Sequence, residues 1–218
     1  MDFCALAGIL ALHTMNQIVF IVFELIVLLF SVILHEVSHG VIAYALGDTT
    51  AKDAHRLTLN PISHLDVMGS LVVPLSLFLL SGGSFVFGWA KPVPYNPYNL
   101  KNPKVGGGMI AAAGPITNFI IAFFASGCLF VVRAFGLSFV QPELLQLIIV
   151  INVALAVFNL VPIPPLDGSK VLAAFLPNRA AAALLSLERY GMVLLLLFIF
   201  FGFQLILPII YWIARFLL

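Results

Sequence analysis

His35-Glu36-Val37-Ser38-His39 stands about two-thirds of the way along an apolar run, residues 16–46, in which Glu24 is the only other charged residue. On a helix, histidines at i and i+4 lie on one face and can present both imidazoles to one cation, while Glu36 sits about 100° round. That is the layout of a zinc site with a general base. With 5 histidines in 218 residues, a chance match to HExxH is expected only about 0.002 times. Two core histidines satisfied by hydrogen bonds are the plainer alternative. Against it, three ionisable residues within five positions at bilayer depth require a cavity, a metal or both.

Composition sets the class. The chain is 62% hydrophobic and 9% charged, with a mean hydropathy of +1.15, which a soluble domain of this size would not carry on its surface. A net charge of +1 gives no electrostatic reason to expect nucleic acid as a partner. The expected surroundings are a lipid bilayer. Cys4 and Cys128 suggest packing rather than a disulfide framework. The first twelve residues have Asp2 where a signal peptide carries a basic residue, and they read as a retained interfacial lead-in.

Taken in order, the first span covers about residues 17–46 and is closed by Gly47-Asp48. It exceeds the ~20 residues that cross a bilayer core, so it should tilt or protrude. Residues 49–67 are polar and loop-like. Residues 68–80 are apolar but hold Pro74 and are too few to cross before Ser81-Gly82-Gly83. Together with Lys91-Pro92-Val93-Pro94-Tyr95-Asn96-Pro97 they predict a re-entrant or membrane-dipping hairpin over about 68–97. Further spans are expected over about 109–135, 144–161 and 190–217, the last broken by Pro208. Pro162-Ile163-Pro164-Pro165 stops the third span, and a surface-lying helix from about Ser169 to Pro177 precedes the fourth. The expected fold is an all-α polytopic membrane protein: about four transmembrane helices, a re-entrant or β-hairpin segment and a short interfacial helix. One domain, residues 1–218, is the expected organisation.

Orientation follows from parity. Segments 47–108 and 162–189 fall on one side with Lys52, Arg56, Lys91, Lys101, Lys104, Lys170, Arg179 and Arg189, and only Arg133 and Arg215 fall opposite. The positive-inside bias therefore puts the metal motif toward the cytosolic face.

A catalytic zinc takes three protein ligands and keeps one position for water. Position 45, where a third histidine would extend the motif, is Ala45, so the candidates for the third ligand are Asp167, His64, Asp66 and Glu24. Asp167 is preferred because it follows an apolar helix on the same side, between Pro165 and Gly168. Its rival role is an N-cap for the helix that follows. Glu24, about three turns before His35, reads equally as a cavity group or a packing residue.

HExxH at His35 to His39, Gly114-Pro115-x-x-Asn118, and Asn159-x-x-Pro162-x-Pro164-Pro165-Leu166-Asp167-Gly168 lie in that order on successive apolar segments. The set resembles the site-2 protease family of intramembrane zinc metalloproteases. Gly88-Trp89-Ala90-Lys91-Pro92-Val93-Pro94 and Leu57-x-x-Asn60-Pro61 resemble its compact prokaryotic branch without a PDZ domain. The resemblance implies one Zn2+ per chain held by His35, His39 and Asp167, with Glu36 as catalytic base. It implies Asn118 and Asn159 near the scissile peptide, and hydrolysis within or next to a transmembrane helix of a membrane-protein or peptide substrate in a prokaryotic cell membrane. The connection between 135 and 144 has no room for a peptide-binding insertion.

On the residues alone, each of these asparagines reads equally as a helix-packing amide. A substrate helix must be unwound before attack, and the 84–94 edge, with Val86 and Val93, is expected to pair with it as an added strand. His64 is a secondary metal-side candidate whose commoner reading is a solvated loop histidine. The alternative function is a zinc-dependent membrane transporter or metal sensor, which needs no base between its ligands.

Overall fold

A helix is the one local structure that hides its own amides in lipid, so long apolar runs free of internal breakers become long helices. The computed structural model describes residues 3–80, 82, 88–137 and 141–218, with side chains from residue 18 onward. Helix α1 runs Phe3–Ala45, 43 residues. The expected lead-in is thus part of the first helix rather than a separate interfacial piece, since no proline or cap interrupts it. Gly47 at φ 102° ends α1, and Asp48 N–H donates to Ala43 O at 2.9 Å. Such a left-handed turn is open to glycine without a Cβ penalty.

A short helix α2 (Thr50–Asp53) follows. The first arm of the expected hairpin is helical: a π-helical turn at Val67–Val72 leads into α3 (Val73–Leu80). The second arm, residues 88–96, is extended without strand pairing among the described residues. The hairpin's tip, Val86 included, lies outside the described residues.

Helix α4 is Pro103–Phe135, six residues longer at its start than the hydropathy suggests. Asn102 caps it through Val105 N–H at 3.1 Å, and Pro103 occupies the first turn, where no N–H is missed. Helices α5 (Pro142–Asn159), α6 (Asp167–Phe175) and α7 (Asn178–Ser186) follow. Then come α8 (Gly191–Leu197), a π-helical turn at Phe198–Gly202 and α9 (Phe203–Leu217). Pro208 lies inside α9 and does not break it. The helical irregularity sits about two to three turns earlier, in the π-helical turn.

Four helical stretches are long and apolar enough to cross a membrane: Ile18–Ala45, Pro103–Phe135, Pro142–Asn159 and Asn178–Leu217. Only 17–33% of their most apolar windows is buried inside the protein, so most of that surface faces outward. The chain is an all-α polytopic membrane protein. Helix α4 is central, packing on α1, α5 and α6. Leu129, Ile149, Val153, Phe198 and Ile206 form the main core. A smaller cluster of Ala43, Leu100 and Ile110 ties the end of α1 to the start of α4.

Asp48 fastens the extended segment to α1. It is wholly buried. It accepts hydrogen bonds from Thr50 Oγ1 (2.5 Å), Asn99 Nδ2 (2.7 Å) and Asn96 N–H (2.7 Å). Burial pushes its carboxyl up, but these donors outweigh that and hold it below the usual carboxylate value. A carboxyl whose folded-state value is lowered stabilises fully above the unfolded value, and that contribution is lost as pH falls through the folded one. Asp48→Asn should therefore cost roughly 1.5–3 kcal/mol near neutrality and flatten the acid limb of the stability curve below about pH 4. Unfolding in mixed micelles followed against pH checks both.

Candidate metal centre

Three ligand atoms, one each from His35, His39 and Asp167, lie within 4.8 Å of one another. His35 Nε2 is 3.0 Å and His39 Nε2 3.3 Å from the same oxygen, Asp167 Oδ2. The side chains are 7%, 11% and 14% exposed, so water screens them little. Helix periodicity brings the two rings together, and the turn after α5 brings in the carboxylate. Leu166 occupies the N-cap position of α6 and Asp167 is its first helical residue. The capping role therefore falls away, and the carboxylate turns to the rings, gaining from the helix dipole as it does so.

The proton positions follow from acceptors that have no choice. Asn152 Nδ2 donates to the Ile148 carbonyl at 2.9 Å and to Ser31 Oγ at 3.0 Å. Its Oδ1 therefore accepts from Asn118 Nδ2 at 2.9 Å. That turns Asn118 Oδ1 toward His35 Nδ1, 2.7 Å away, which must be the donor. His39 Nδ1 likewise donates to the Ile110 carbonyl at 2.7 Å. Each neutral ring then directs the Nε2 lone pair at a carboxylate oxygen. A cation between them reconciles the three acceptors, and two imidazole nitrogens with one carboxylate match a catalytic zinc donor set.

Gly114 makes room for this. A Cβ there would meet the His35 ring at 2.4–2.7 Å, so only glycine lets α4 back onto the imidazole. Neither the Ser31–Asn152 pair nor this contact was singled out from the sequence, although Gly114-Pro115 was visible as part of a motif.

The three side chains open into a cavity of about 170 Å³ that is also lined by Glu36, Val93, Asn159 and Lys170. Glu36 Oε2 accepts the Val93 N–H at 3.0 Å. Val93 is held there from both sides, by Lys91 before it and, after it, by Asn96, whose N–H donates to Asp48. Buried Arg56 donates to Lys91 O at 2.8 Å, and Lys91 N–H donates to His64 O at 2.9 Å.

The two asparagines separate. Asn159 lines the cavity, its Nδ2 tied to Leu155 O at 3.0 Å. Asn118 is wholly buried behind His35 and is not among the residues that line the cavity. His64 is not solvated but 2% exposed, with Nε2 on the Thr58 carbonyl at 2.8 Å. Asp66 caps the π-helical turn through Gly69 N–H, and Glu24 faces outward. Among the described residues none of these three joins the metal-ligating group.

Comparison with known proteins points to a zinc metalloprotease family. The model of "Peptidase family M50" matches residues 137–202, the part that holds Asp167. Three relatives carry the name zinc metalloprotease. YwhC of Bacillus subtilis is 37% identical over 78% of this chain and 77% of its own length. Rip2 of Mycolicibacterium smegmatis is 28% identical, over 75% of this chain and 61% of its own. MJ0392 of Methanocaldococcus jannaschii is also 28% identical, over 80% and 40%. No solved structure matches the chain.

Gly114→Ala should displace the His35 ring and cost at least the 10- to 100-fold in metal affinity typical of a lost orienting partner. Asn118→Leu should cost a similar factor by freeing the ring's tautomer. Zinc per chain after dialysis against graded chelator, measured by elemental analysis, checks both.

Proposed function

The chain belongs to peptidase family M50, the site-2 proteases, and from that premise we propose how its residues divide the work of an intramembrane zinc metalloprotease. Its substrates are membrane-embedded and its surroundings lipid. His35, His39 and Asp167 hold the single zinc, Glu36 is the base, and residues 1–218 work as one domain. The observation that carries this reading is the convergence of two Nε2 atoms and one carboxylate oxygen beside Glu36.

When bound, the zinc acidifies a water and polarises the scissile carbonyl. Glu36 takes the proton and returns it to the leaving amide nitrogen. Its Oε2 is fixed by the Val93 N–H, so Oε1 is the oxygen for proton transfer. Asn118 orients His35 by accepting its Nδ1–H and so keeps Nε2 bare for the metal. Asn159, open to the cavity, is the amide available to a substrate backbone or oxyanion. The 84–94 edge lays an unwound substrate against the site, Val93 fixing the base as it does so; Val86 enters on the sequence pattern alone. The excess of basic residues on the 47–108 and 162–189 side supports an active site near the cytosolic face of a cell membrane.

Glu36→Gln should abolish cleavage of a single-span substrate while zinc content stays at one per chain. Undiminished turnover in that variant would remove the base from the mechanism. Val93→Pro withdraws the N–H that holds Glu36 and should lower kcat at least tenfold with zinc unchanged, read by cleavage kinetics and elemental analysis on one sample.

A further inference from the structure

Lys170 belongs to two spaces at once. It lies one turn after Asp167 on α6, lines the metal cavity, and also lines a groove of about 480 Å³ next to it. The two spaces adjoin at Lys170 and Tyr95. Helix α4 shows how far apart they are. Gly107 and Gly108 touch the groove, while Ile110 and Ala111 touch the metal cavity. That is about three residues, or roughly 5 Å along the helix axis. An extended chain covers about 3.3 Å per residue, so a peptide leaving the metal cavity reaches the groove about two to four residues from the bond being cut.

The groove carries a charge that its own residues do not neutralise. Among the described residues its basic groups are Lys104 and Lys170 and its only carboxylate is Glu188. Lys104 is spent on neutral acceptors, the Leu176 carbonyl and Asn178 Oδ1. Lys170 has Glu188 at 4.0 Å, the outer limit of an ion pair, and that carboxylate is 54% exposed. The Lys170 side chain is 28% exposed, and its ammonium is only weakly compensated. An arriving carboxylate displaces Glu188 at little cost.

We propose that Lys170 is a specificity-determining residue, anchoring an acidic side chain of the substrate about two to four positions from the scissile bond, on the flank that leaves through the groove. The proposal rests on the site reading given above. It commits the groove to the substrate's own polypeptide, because charge complementarity and continuity with the metal cavity both point there.

The test uses the zinc-loaded full chain in phosphatidylcholine vesicles. Its substrates are synthetic single-span peptides that differ only in carrying Asp, Asn or Lys at successive positions of the soluble flank. Cleavage sites are mapped by mass spectrometry. The expected result is a KM about three- to tenfold lower for Asp than for Lys in that window, with Asn between, shrinking as salt is raised. Lys170→Glu should reverse the order. Glu188→Gln should sharpen it, and that variant carries the test should Lys170→Glu fail to fold.

Equal KM values for Asp and Lys flanks in the unaltered protein would overturn the proposal, as would an unreversed order in zinc-loaded Lys170→Glu. A preference seen only in vesicles containing phosphatidylglycerol would assign Lys170 to a lipid headgroup and overturn it too. Glu36→Gln separates the two readings: if it still cleaves, the assignment of the base fails, while the flank preference stands or falls by itself.

Discussion

Three acceptors that repel one another are held within 4.8 Å in a place where water does little to screen them, and the rest of the structure arranges for that to be tolerable. A buried carboxylate and two lone pairs have no favourable neutral packing. They call for a cation, and everything behind them prevents the usual escape of turning a ring over. The Ile148 carbonyl fixes Asn152, Asn152 fixes Asn118, and Asn118 fixes His35. The Ile110 carbonyl fixes His39 directly. A network satisfied at every member rigidifies its site, whereas one left partly open would cost more than an apolar core.

The proposed base is held from a different direction. Glu36 belongs to α1, but the N–H that fixes it comes from an extended segment that reaches the site only because Asp48 and Arg56 fasten it. Both anchors are buried, and both lie in the polar stretch after α1. The proposed metal ligands are therefore placed mainly by helices and the proposed base by a loop that helices tether. Gly40 permits the approach, since a Cβ there would meet Val93 Cγ1 at 2.8 Å.

Periodicity made part of this readable. The i, i+4 histidines fix one face of one helix, and hydropathy alone supplied four spans. Asp167 was reachable because prolines stop the preceding helix on the side where α1 ends. What a single helix cannot reveal is which neighbour its polar residues meet. Asn118 and Asn159 look alike in sequence, yet one backs a ring and the other opens to the cavity, a difference set by the packing of α4 and α5 on α1. Asn152 shares a helix face with Asn159, seven residues on, but Ser31 carries no pattern until helix packing pairs the two. Gly114 reads as an ordinary small membrane residue until a ring 2.4 Å from its absent Cβ explains it. His64 reads as a loop residue because loops are usually wet. Here the loop folds under the extended segment and buries it.

Size sets the last constraint. A cavity of about 170 Å³ falls below the range of about 300–1,000 Å³ usual for ligand pockets, and a helix with side chains is about 10–12 Å across. A substrate helix cannot lie in it. What fits is a water and a short piece of open chain, so the peptide must lose its i to i−4 hydrogen bonds before it meets the metal. In lipid those freed amides need partners at once. The cavity is rimmed on one side by Asn159 and on another by the extended Pro92–Val93 backbone. Pro115 adds to this: with no N–H of its own, it leaves the Ala111 carbonyl, at the cavity wall, without its usual helical donor. The centre thus concentrates backbone hydrogen-bonding capacity at the one depth where a substrate has just lost its own, and that exchange makes unwinding feasible inside a membrane.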